Sequence, residues 1–315
     1  MKILFTGASS FTGMHFVEAL LHHGHDVLAV FSRSMESYSG ISQVRMTRIQ
    51  ERTTCIFDAQ YGTKPFVDIL EHHSFDIYCH HWSYTTNYQK LNFNLEKALQ
   101  QNTQNITTVL ERLAKKGCTK IAITGSIFSG FENNHEIKLP FSPYGLSKKI
   151  QSEVFHLYGD IFGLDVRTFV IPNPFGAFDN RKMASIFLEQ WLNHKTAQVF
   201  IPDYVRDNIH VELLALGYEN WIQSFWNPNI QETVFLPSGY RMSVREFVSY
   251  FAEAMCQRLD VPCDFICLEQ SDFSQPLQLV NNIDVAEILQ VSTDPYWDNL
   301  ANFALEYIHK RQIYK

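Results

Sequence analysis

The stretch KILFTGASSFTG, at residues 2–13, decides the fold class of this chain. Its opening residues are mostly apolar and predict a short buried strand at 2–5, followed by a turn with glycines at positions 7 and 13. The segment 14–21 then carries apolar residues at helical spacing, and Gly24 after it is a common helix stop. A second apolar run at 27–31 completes a strand–turn–helix–strand unit of about 30 residues, the size of one βαβ unit.

The same alternation of strands and helices continues as far as residue 171. Further strands are predicted at 56–58, 75–79, 120–124 and 166–171, and helices at 66–72, 95–116 and 143–158. Alternation of this kind favours a parallel sheet that is covered on both faces. We therefore predict an α/β fold: a Rossmann-type, doubly wound parallel sheet at 1–175 and a smaller mixed α/β domain at 176–315, with a segment such as 201–218 returning toward the sheet domain.

Composition excludes several classes of protein. The 315 residues are 45% hydrophobic, enough for a sizeable core, and the net charge of −7 without a long basic run argues against a nucleic-acid partner. No apolar run reaches the roughly 20 residues that span a membrane, and the predicted strand at the start leaves no room for a signal peptide. The six cysteines are scattered without metal-ligand spacing. We expect free thiols, no metal site, no membrane partner and a cytoplasmic location.

The glycine turn predicts a dinucleotide site. Glycines let the backbone approach a phosphate closely, and the following helix presents free N–H groups and a positive dipole end to the pyrophosphate. Gly7 and Gly13 occupy the first and third expected positions, whereas Ser10 stands where a middle glycine is usual. The Ser10 hydroxyl could donate to a phosphate, although its Cβ narrows the approach. The remaining candidates for cofactor binding in this turn are Ser9, Phe11 and Thr12; an ordinary strand–helix turn is the alternative.

The end of the second predicted strand indicates which dinucleotide binds. An acidic residue there would bind the ribose 2′-hydroxyl of NAD, while an arginine would accommodate the 2′-phosphate of NADP. The chain reads Ser32-Arg33 at this point, with no carboxylate before Glu36. NADP is therefore favoured over NAD, since a guanidinium binds phosphate with a planar fork; a solvated loop arginine is the other interpretation. Asp58, ending the next strand, is either a ligand of the adenine amino group or a plain turn aspartate.

A phenol and an ammonium are four residues apart at Tyr144 and Lys148, which places them on one face of the predicted helix. A tyrosine with a pKa of about 10 is a poor base at neutral pH, and a nearby ammonium would stabilise the phenolate. Lys148 could also bind the nicotinamide ribose. Thr124 and Ser126 end the preceding strand, and either hydroxyl could orient a substrate oxygen, with Ser126 favoured. With the glycine turn, this pair indicates nicotinamide-dependent hydride transfer.

In this order, these residues resemble the extended short-chain dehydrogenase/reductases, the NAD(P)-dependent epimerases, dehydratases and reductases that act mostly on nucleotide sugars. The turn is similar to the family's Thr-Gly-x-x-Gly-x-x-Gly, from which Ser10 departs, and Tyr144 and Lys148 match its catalytic pair. Segment DIYCH at 76–80 resembles the strand beside the cofactor, and Asn102 falls at a helix asparagine of the family. The resemblance implies cofactor-binding roles for His80, Asn102, Tyr144 and Lys148.

The resemblance extends into the second half of the chain. NPFG at 173–176 is similar to the family's Asn-x-Tyr-Gly segment that meets the substrate, and RDNIHV at 206–211 is similar to its Arg-Asp-Phe-Ile-His-Val segment. It thereby implies substrate-binding roles for Asn173 and for Arg206, the latter near a nucleotide diphosphate. Relatives commonly pair through two long helices, which here are the segments 95–116 and 143–158. A homodimer is therefore implied as well.

Three departures from the family pattern narrow the prediction. The family's catalytic hydroxyl aligns with Gly125, so the third catalytic role falls on Thr124 or Ser126. Ile127-Phe128 replaces the Asp-Glu pair of the sugar-nucleotide 4,6-dehydratases, which argues against dehydration. His80-His81-Trp82 replaces the usual His-Leu-Ala. Because neighbours on a strand point to opposite faces, we expect the two histidines to shape the structure or the pocket and not to bind a metal together.

The activity expected is hydride transfer at a sugar carbinol or keto carbon of a nucleotide sugar, of the 4-epimerase or 4-ketoreductase type. The residues do not separate these two reactions. Two alternatives stay open: a reductase of a non-sugar carbonyl, and a cofactor-binding sensor or scaffold without chemistry. An intact Tyr144 and Lys148 argue against the sensor.

Overall fold

Strands and helices alternate through most of the computed structural model, which describes residues 1–90, 92–130 and 139–308. The strands are β1 (Lys2–Thr6), β2 (Asp26–Val30), β3 (Cys55–Ile56), β4 (Ile77–His80), β5 (Lys120–Ser126), β6 (Asp165–Ile171), β7 (Asn173–Phe175), β8 (Ala197–Val199), β9 (Val205–His210), β10 (Val234–Phe235), β11 (Pro237–Ser238), β12 (Tyr240–Ser243), β13 (Phe265–Cys267), β14 (Gln278–Leu279) and β15 (Ile283–Asp284). The helices are α1 (Phe11–His22), α2 (Gly40–Gln50), α3 (Lys64–His72), α4 (Leu95–Asn102), α5 (Ile106–Lys115), α6 (Pro143–Phe162), α7 (Met183–Leu192), α8 (Val211–Gln223), α9 (Val244–Leu259), α10 (Val285–Leu289) and α11 (Asp294–Phe303).

A parallel sheet of seven strands in the order β10-β6-β5-β4-β1-β2-β3 confirms the predicted doubly wound α/β fold. The chain winds outward from β1 in one direction through β2 and β3, and in the other through β4, β5 and β6. The direction of winding therefore reverses between β1 and β4. In open α/β sheets, ligands bind outside the carboxyl ends of the strands at such a reversal. The glycine turn after β1 lies at this point.

The strands of this sheet are buried on both faces, as their continuous apolar runs predict. Ile3, Leu4 and Phe5 of β1 are fully buried, and so are Ile77 and Tyr78 of β4. One face carries a cluster in which helices α3, α5 and α6 pack on the strands; its large members are Phe66, Leu110 and Phe155. Full burial of a side chain of this size contributes about 1.5–3 kcal/mol. The core thus fixes the strand ends that carry the candidate site.

The helix predicted at 95–116 is wrong as a single element, because the structure has two helices there. α4 ends at Asn102 and α5 begins at Ile106. Between them Asn105 adopts a left-handed conformation with φ of 52°, and its side-chain amide donates to Gly62 O at 2.6 Å. Asparagine tolerates this conformation better than most residues, so the break needs no glycine or proline. Helix α6 is longer than predicted and ends at Phe162; Gly163 follows it with a φ of 67°, which suits a helix C-terminus.

The chain divides into two compact units. The first comprises Met1–Ile171 and Tyr218–Leu236, and the second comprises Pro172–Gly217 with the chain from Pro237 onward. The chain passes from the first unit to the second after Ile171, and the segment 218–236 returns to the first unit. Its return has a physical reason: Tyr218 stacks on Phe16 of α1 with ring centroids 4.1 Å apart, and β10 pairs with β6.

The second unit is more regular than its sequence indicates. Strands β12, β9 and β14 form a mixed sheet in which β7 also pairs with β9. Helices α9 and α11 contribute aromatic side chains to its core, where Phe175 contacts Phe247 and Trp297 with ring centroids 5.1 and 5.4 Å apart. Within the parts of the chain that the structure describes, no helix is both long and apolar enough to cross a membrane.

Candidate active site

The turn between β1 and α1 requires its two outer glycines. Gly7 has a φ of +85°, and a Cβ there would lie 2.9 Å from the backbone nitrogen of Trp82. A Cβ on Gly13 would lie 2.2 Å from Gly7 O. Ser10 caps α1, since its hydroxyl oxygen accepts from Gly13 N at 2.9 Å. The turn therefore presents the bare N-terminus of α1 at the carboxyl edge of the sheet, where an anion such as a pyrophosphate can bind.

His81 lies beneath this turn and ties it to β5. Its Nε2 lies 2.9 Å from Ser10 Oγ and 3.0 Å from Thr12 Oγ1, and its Nδ1 lies 2.9 Å from Thr124 Oγ1. Desolvation, with a smaller effect of the Lys148 charge, lowers the pKa of His81 to about 3, so the imidazole is neutral. The Ser10 hydroxyl, which the sequence offers as a phosphate ligand, is thus engaged by Gly13 and His81.

The side chains of the other turn residues differ in their exposure. Phe11 is buried, with its ring 5.7 Å from that of His15, so it offers a ligand only its backbone. Ser9 is half-buried, and its carbonyl oxygen accepts from Arg45 Nε at 2.9 Å. Arg45 is only 3% exposed and lies on α2, a helix that the apolar pattern does not predict. Sequence reasoning therefore missed this cation, because it lies 36 residues from its partner.

The residues expected around the adenosine ribose lie together at the ends of β2 and β3. Asp58 is exposed, has a φ of 57°, and donates its backbone N–H to Arg33 O at 3.2 Å. The Arg33 guanidinium is exposed and lies over the Tyr38 ring, 4.4 Å from its centroid. Ser32 beside it is half-buried. A stacked guanidinium at this edge is available for hydrogen bonds in its own plane.

Tyr144 lies in the first turn of α6, which begins where the sequence predicts. Ser142 caps this helix by accepting from Gly145 N at 3.0 Å, and a Cβ on Gly145 would lie 2.0 Å from Phe128 O. Gly145 therefore lets the helix approach the turn that follows β5. The Tyr144 ring is half-buried and packs against Tyr88 and Phe93, with centroids 5.1 and 5.9 Å away.

Ser126 and Thr124 point to different partners. Burial raises the pKa of Tyr144, the neighbouring Tyr88 raises it further, and a side-chain hydrogen bond with Ser126 lowers it. Thr124 is instead bonded to His81 on the side of α1. Ser126 Oγ accepts from Phe128 N at 3.3 Å, whereas Thr124 has its partner beneath the glycine turn. With its raised pKa, Tyr144 is protonated at neutral pH in this structure.

Lys148 is buried one turn along α6, at 4% exposure. Its Nζ donates to Gln151 Oε1 at 2.8 Å, and burial lowers the pKa of Lys148 to about 7. Gln151 Nε2 lies 2.7 Å from His80 Nε2, and His80 Nδ1 lies within hydrogen-bond distance of the Tyr78 hydroxyl. His80 is therefore enclosed by protein on the face of the sheet opposite to His81, as expected for neighbours on a strand. Sequence reasoning did not single out Gln151.

Asn102 is fully buried at the end of α4. Its side-chain oxygen accepts from the backbone nitrogen of Tyr84 at 2.8 Å, which fastens the loop that follows β4. Its Nδ2 has no hydrogen-bond partner within the described residues. This asparagine thus holds the segment that carries Tyr88 and Phe93, the two rings packed on Tyr144.

Asn173 and Arg206 belong to the second unit. Asn173 opens β7, is half-buried, and is in register with Asn208 of β9. Arg206 is 6% exposed; its guanidinium donates to the carbonyls of Val205, Pro276 and Leu277 at 2.9–3.2 Å and to Gln275 Oε1 at 3.1 Å.

The charge of Arg206 has no carboxylate partner within ion-pair distance among the residues described. Burial lowers the pKa of Arg206 to about 10, and the group stays charged at neutral pH. The neighbouring Asp207 accepts from Gly239 N and Asn281 N at 2.8 and 2.9 Å, so it anchors backbone instead of pairing with the arginine. A buried cation without a counter-charge is a place where an anionic ligand would be stabilised.

The seven-stranded parallel sheet with its glycine turn at the point of reversal defines a Rossmann-like α/β protein. A family model, the NAD dependent epimerase/dehydratase family, matches residues 3–220. The chain belongs to this family, which confirms the resemblance drawn from its motifs.

Relatives and solved structures agree with this assignment. A putative UDP-glucose 4-epimerase of Methanocaldococcus jannaschii is 24% identical over 246 residues, which are 70% of this chain and 75% of that protein. The structure is similar to that of UDP-glucose 4-epimerase from Thermotoga maritima, with a TM-score of 0.72, 18% identity, and coverage of 96% of this chain and 98% of the other. It is equally similar to UDP-glucuronic acid 4-epimerase from Bacillus cereus in complex with NAD, with a TM-score of 0.72, 17% identity, and coverage of 97% and 99%. At these identities, the two structures show the fold.

Proposed function

We propose that this protein is a nicotinamide-dependent 4-epimerase of a nucleotide sugar. The observation that carries the proposal is the pair on α6, with Tyr144 in the first turn of the helix and the buried ammonium of Lys148 one turn further along. The names of the relatives and of the similar structures, which are UDP-sugar 4-epimerases, support a UDP-sugar as the substrate.

The cofactor would bind at the turn between β1 and α1, where residues larger than glycine would block its approach. Gly7 and Gly13 leave room for backbone approach, because a Cβ at either position would collide with backbone atoms. We assign the N–H groups of Ser9, Phe11 and Thr12 to the pyrophosphate, since the N-terminus of α1 favours an anion. Ser10 and Gly13, whose N–H groups donate to Gly7 O and Ser10 Oγ, would shape the backbone that approaches the cofactor. Asp58 would accept from the adenine amino group.

The nicotinamide ring itself would lie near the ends of β4 and β5. His80 and Asn102 are both buried, and they bond Gln151 and the backbone of Tyr84, respectively. They would therefore support this part of the cofactor site from the protein interior. Lys148 would bind the nicotinamide ribose with the N–H groups that Gln151 does not use. A bound nicotinamide cofactor would supply the acceptor and donor of the hydride.

NADP is proposed in preference to NAD. Ser32 and Arg33 offer hydroxyl and guanidinium donors at the end of β2, where the sequence has no carboxylate before Glu36. Arg45, which touches the turn at Ser9, adds a second positive charge to this edge. The comparison of dissociation constants for NADP and NAD in Arg33→Ala checks the assignment: the preference for NADP should disappear, and an unchanged ratio would contradict it.

The chemistry follows from the position of Tyr144. Its oxygen would take the hydroxyl proton from the sugar carbon that loses the hydride, and would return a proton when the opposite face of the keto sugar is reduced. Ser126 would orient the reacting oxygen. Because burial raises the pKa of Tyr144, the phenolate forms only when positive charge is close, which is the role we assign to Lys148.

Epimerisation is favoured over dehydration. Ile127 and Phe128 occupy the positions after Ser126, and Phe128 packs its ring on Tyr144 and Phe141. Elimination of water needs an additional acid and base, and these apolar side chains supply neither. In the second unit, we assign the uncompensated charge of Arg206 to the nucleotide diphosphate and the amide of Asn173 to the sugar.

A homodimer through α6 is proposed from the exposed side of this helix. Leu146, Leu157 and Ile161 are 37–62% exposed on α6, an unusual number of large apolar side chains for one solvent-facing helix. Sedimentation should give a dimer for the parent and a monomer for Leu157→Lys. The cytoplasmic location stays a prediction, with which the six free thiols are consistent.

The activity is tested with purified protein, added cofactor and a panel of UDP-sugars that includes UDP-glucose, UDP-glucuronic acid and UDP-N-acetylglucosamine, with the C4 epimers resolved by chromatography. Tyr144→Phe should lower turnover at least about 100-fold, because general acid–base catalysis contributes on this scale. Tyr158→Phe on the same helix is the matched control and should keep parental turnover. No epimer from any sugar with the parent protein, or equal rates for Tyr144→Phe and the parent, would reject the proposal.

A further inference from the structure

The ammonium of Lys148 is buried with a single protein partner. Gln151 Oε1 accepts from Lys148 Nζ at 2.8 Å, and this is the one hydrogen bond that Lys148 makes among the described residues. No carboxylate in that part of the chain forms an ion pair with it. A buried charge without an ion partner depends strongly on the groups that accept its hydrogen bonds.

The hydrogen-bond chemistry fixes the orientation of the Gln151 amide. An ammonium only donates, so the atom of Gln151 that faces Lys148 must be the oxygen. The amide nitrogen of Gln151 therefore faces His80 and donates to His80 Nε2 at 2.7 Å. An imidazole nitrogen that accepts carries no proton. His80 is consequently neutral with its proton on Nδ1, and it donates this proton toward the Tyr78 hydroxyl.

From this arrangement we propose that Gln151 is a positioning residue for Lys148: its oxygen holds the ammonium in place, and its nitrogen holds His80 in the Nδ1–H tautomer that supports the amide. The proposal rests on the proposed function for the catalytic role of Lys148, but the hydrogen bonds from Lys148 through Gln151 to His80 are present without substrate. One N–H of Lys148 is taken by Gln151, and two remain for the ribose hydroxyls of the cofactor.

Burial lowers the pKa of Lys148, and among the described residues Gln151 is the one group that accepts a hydrogen bond from its ammonium. The titratable side chains nearby are Tyr144 on its own helix and His80 and His81 at the end of β4. Burial lowers the pKa of both histidines, and Tyr144 is protonated, so none of them brings a negative charge. Tyr78 and Tyr61, which surround the His80 ring, are also neutral because burial raises the pKa of each.

Two substitutions distinguish the bond of the Gln151 oxygen to Lys148 from the bond of its nitrogen to His80. Gln151→Met removes the hydrogen bonds to Lys148, His80 and Trp82 O and should lower the pKa of Lys148 by about one unit. Gln151→Glu has nearly the same shape and places a negative charge beside Lys148, so the pKa of Lys148 should rise by about one unit. Since a carboxylate cannot donate, Gln151→Glu should also move the His80 proton from Nδ1 to Nε2.

The measurement is nuclear magnetic resonance on the full-length protein with ¹⁵N-labelled histidine and lysine, before and after cofactor is added. The His80 signal is assigned by its loss in His80→Phe, and the Lys148 signal by its loss in Lys148→Arg. Ser152→Ala is the matched control: it removes a buried hydrogen bond of 3.0 Å to Thr168 from the next position of α6 and should move neither signal.

Opposite shifts of the Lys148 titration in the two Gln151 variants, with the tautomer change in Gln151→Glu, would support the proposal. An unchanged Lys148 midpoint and an unchanged His80 tautomer in folded Gln151→Glu would overturn it. If Gln151→Met does not fold, the near-isosteric Glu variant carries the test alone.

Kinetics supply a second readout once a substrate is found. Gln151→Met should lower kcat about ten-fold with a KM for the UDP-sugar within about two-fold, and the alkaline limb of kcat should move to lower pH. Because the resonance signals need no substrate, failure to find an epimerase activity would leave this test of Gln151 intact.

Discussion

His80 and His81 are adjacent, yet the two faces of the sheet around them are held together in different ways. On the α1 face, His81 contacts three hydroxyls, from Ser10, Thr12 and Thr124. A hydroxyl both donates and accepts, so this cluster can be satisfied with either tautomer of the neutral imidazole.

On the α6 face, His80 is linked through Gln151 to Lys148. An ammonium only donates, and this constraint passes through the amide to the imidazole, so one tautomer is allowed. A buried charge therefore fixes which groups donate and which accept along a hydrogen-bond chain. Hydroxyls do not fix this, because each can donate or accept. We therefore expect the α6 face to govern the reaction and its pH dependence, and the α1 face to govern the shape and stability of the cofactor turn.

The largest effect is expected from Lys148→Met, which removes the charge on the α6 face. Turnover should fall at least about 100-fold, because the phenolate of Tyr144 loses its stabilising charge. The free energy of unfolding should rise at neutral pH, because the substitution removes a buried charge. Thermal unfolding of the parent and the variant, followed from pH 6 to pH 10, measures this effect.

The direction of the pH dependence follows from the lowered pKa of Lys148, about 7 in the native protein. Between this pH and the ordinary lysine value of about 10.4, the unfolded chain binds a proton that the native protein does not. The native protein therefore gains stability as the pH rises through this window. The Tm advantage of Lys148→Met at pH 6 should shrink toward pH 10; a constant advantage would mean that Lys148 does not titrate there.

An intermediate effect separates the two hydroxyls of β5. Ser126→Ala should lower kcat about 10- to 100-fold with little loss of stability, because its hydroxyl serves Tyr144. Thr124→Val should lower Tm and leave kcat nearly unchanged, because its hydroxyl serves His81. Steady-state kinetics beside thermal unfolding of both variants is the measurement. If Thr124→Val proves to be the variant with the larger loss of kcat, the assignment of the third catalytic residue is reversed.

The smallest effect concerns the α1 face. His81→Leu leaves three hydroxyls without their common partner and should destabilise the protein by about 2 kcal/mol, with weaker binding of the cofactor. Ser10→Gly, which restores the glycine usual at this position, should cost less in the His81→Leu background than in the parent. Chemical denaturation of the four proteins gives the coupling energy. Additive changes would show that Ser10 and His81 do not act together.

The strands and the pair of Tyr144 and Lys148 could be predicted because their signals are local. An apolar run, a glycine turn and helical spacing each occupy fewer than about 20 residues, and backbone geometry imposes their periods. The break at Asn105 could not be predicted, because the left-handed residue is an asparagine with an amide that finds Gly62 only in the folded chain. Helix α2, which carries Arg45, could not be predicted either, because the apolar pattern of this helix is weak.

The sequence by itself determined the alternation of strands and helices that makes a parallel sheet, and the position of the glycine turn; the residues that move a proton stay its prediction. Tertiary structure alone decided which polar groups meet. Ser10 and Gln151 each lie 71 residues from the histidine they bond, and Thr124 lies 43 residues from His81. The reason is physical: a hydrogen bond needs two atoms within about 3 Å at a suitable angle, and only packing of the sheet against α1 and α6 brings such distant positions together.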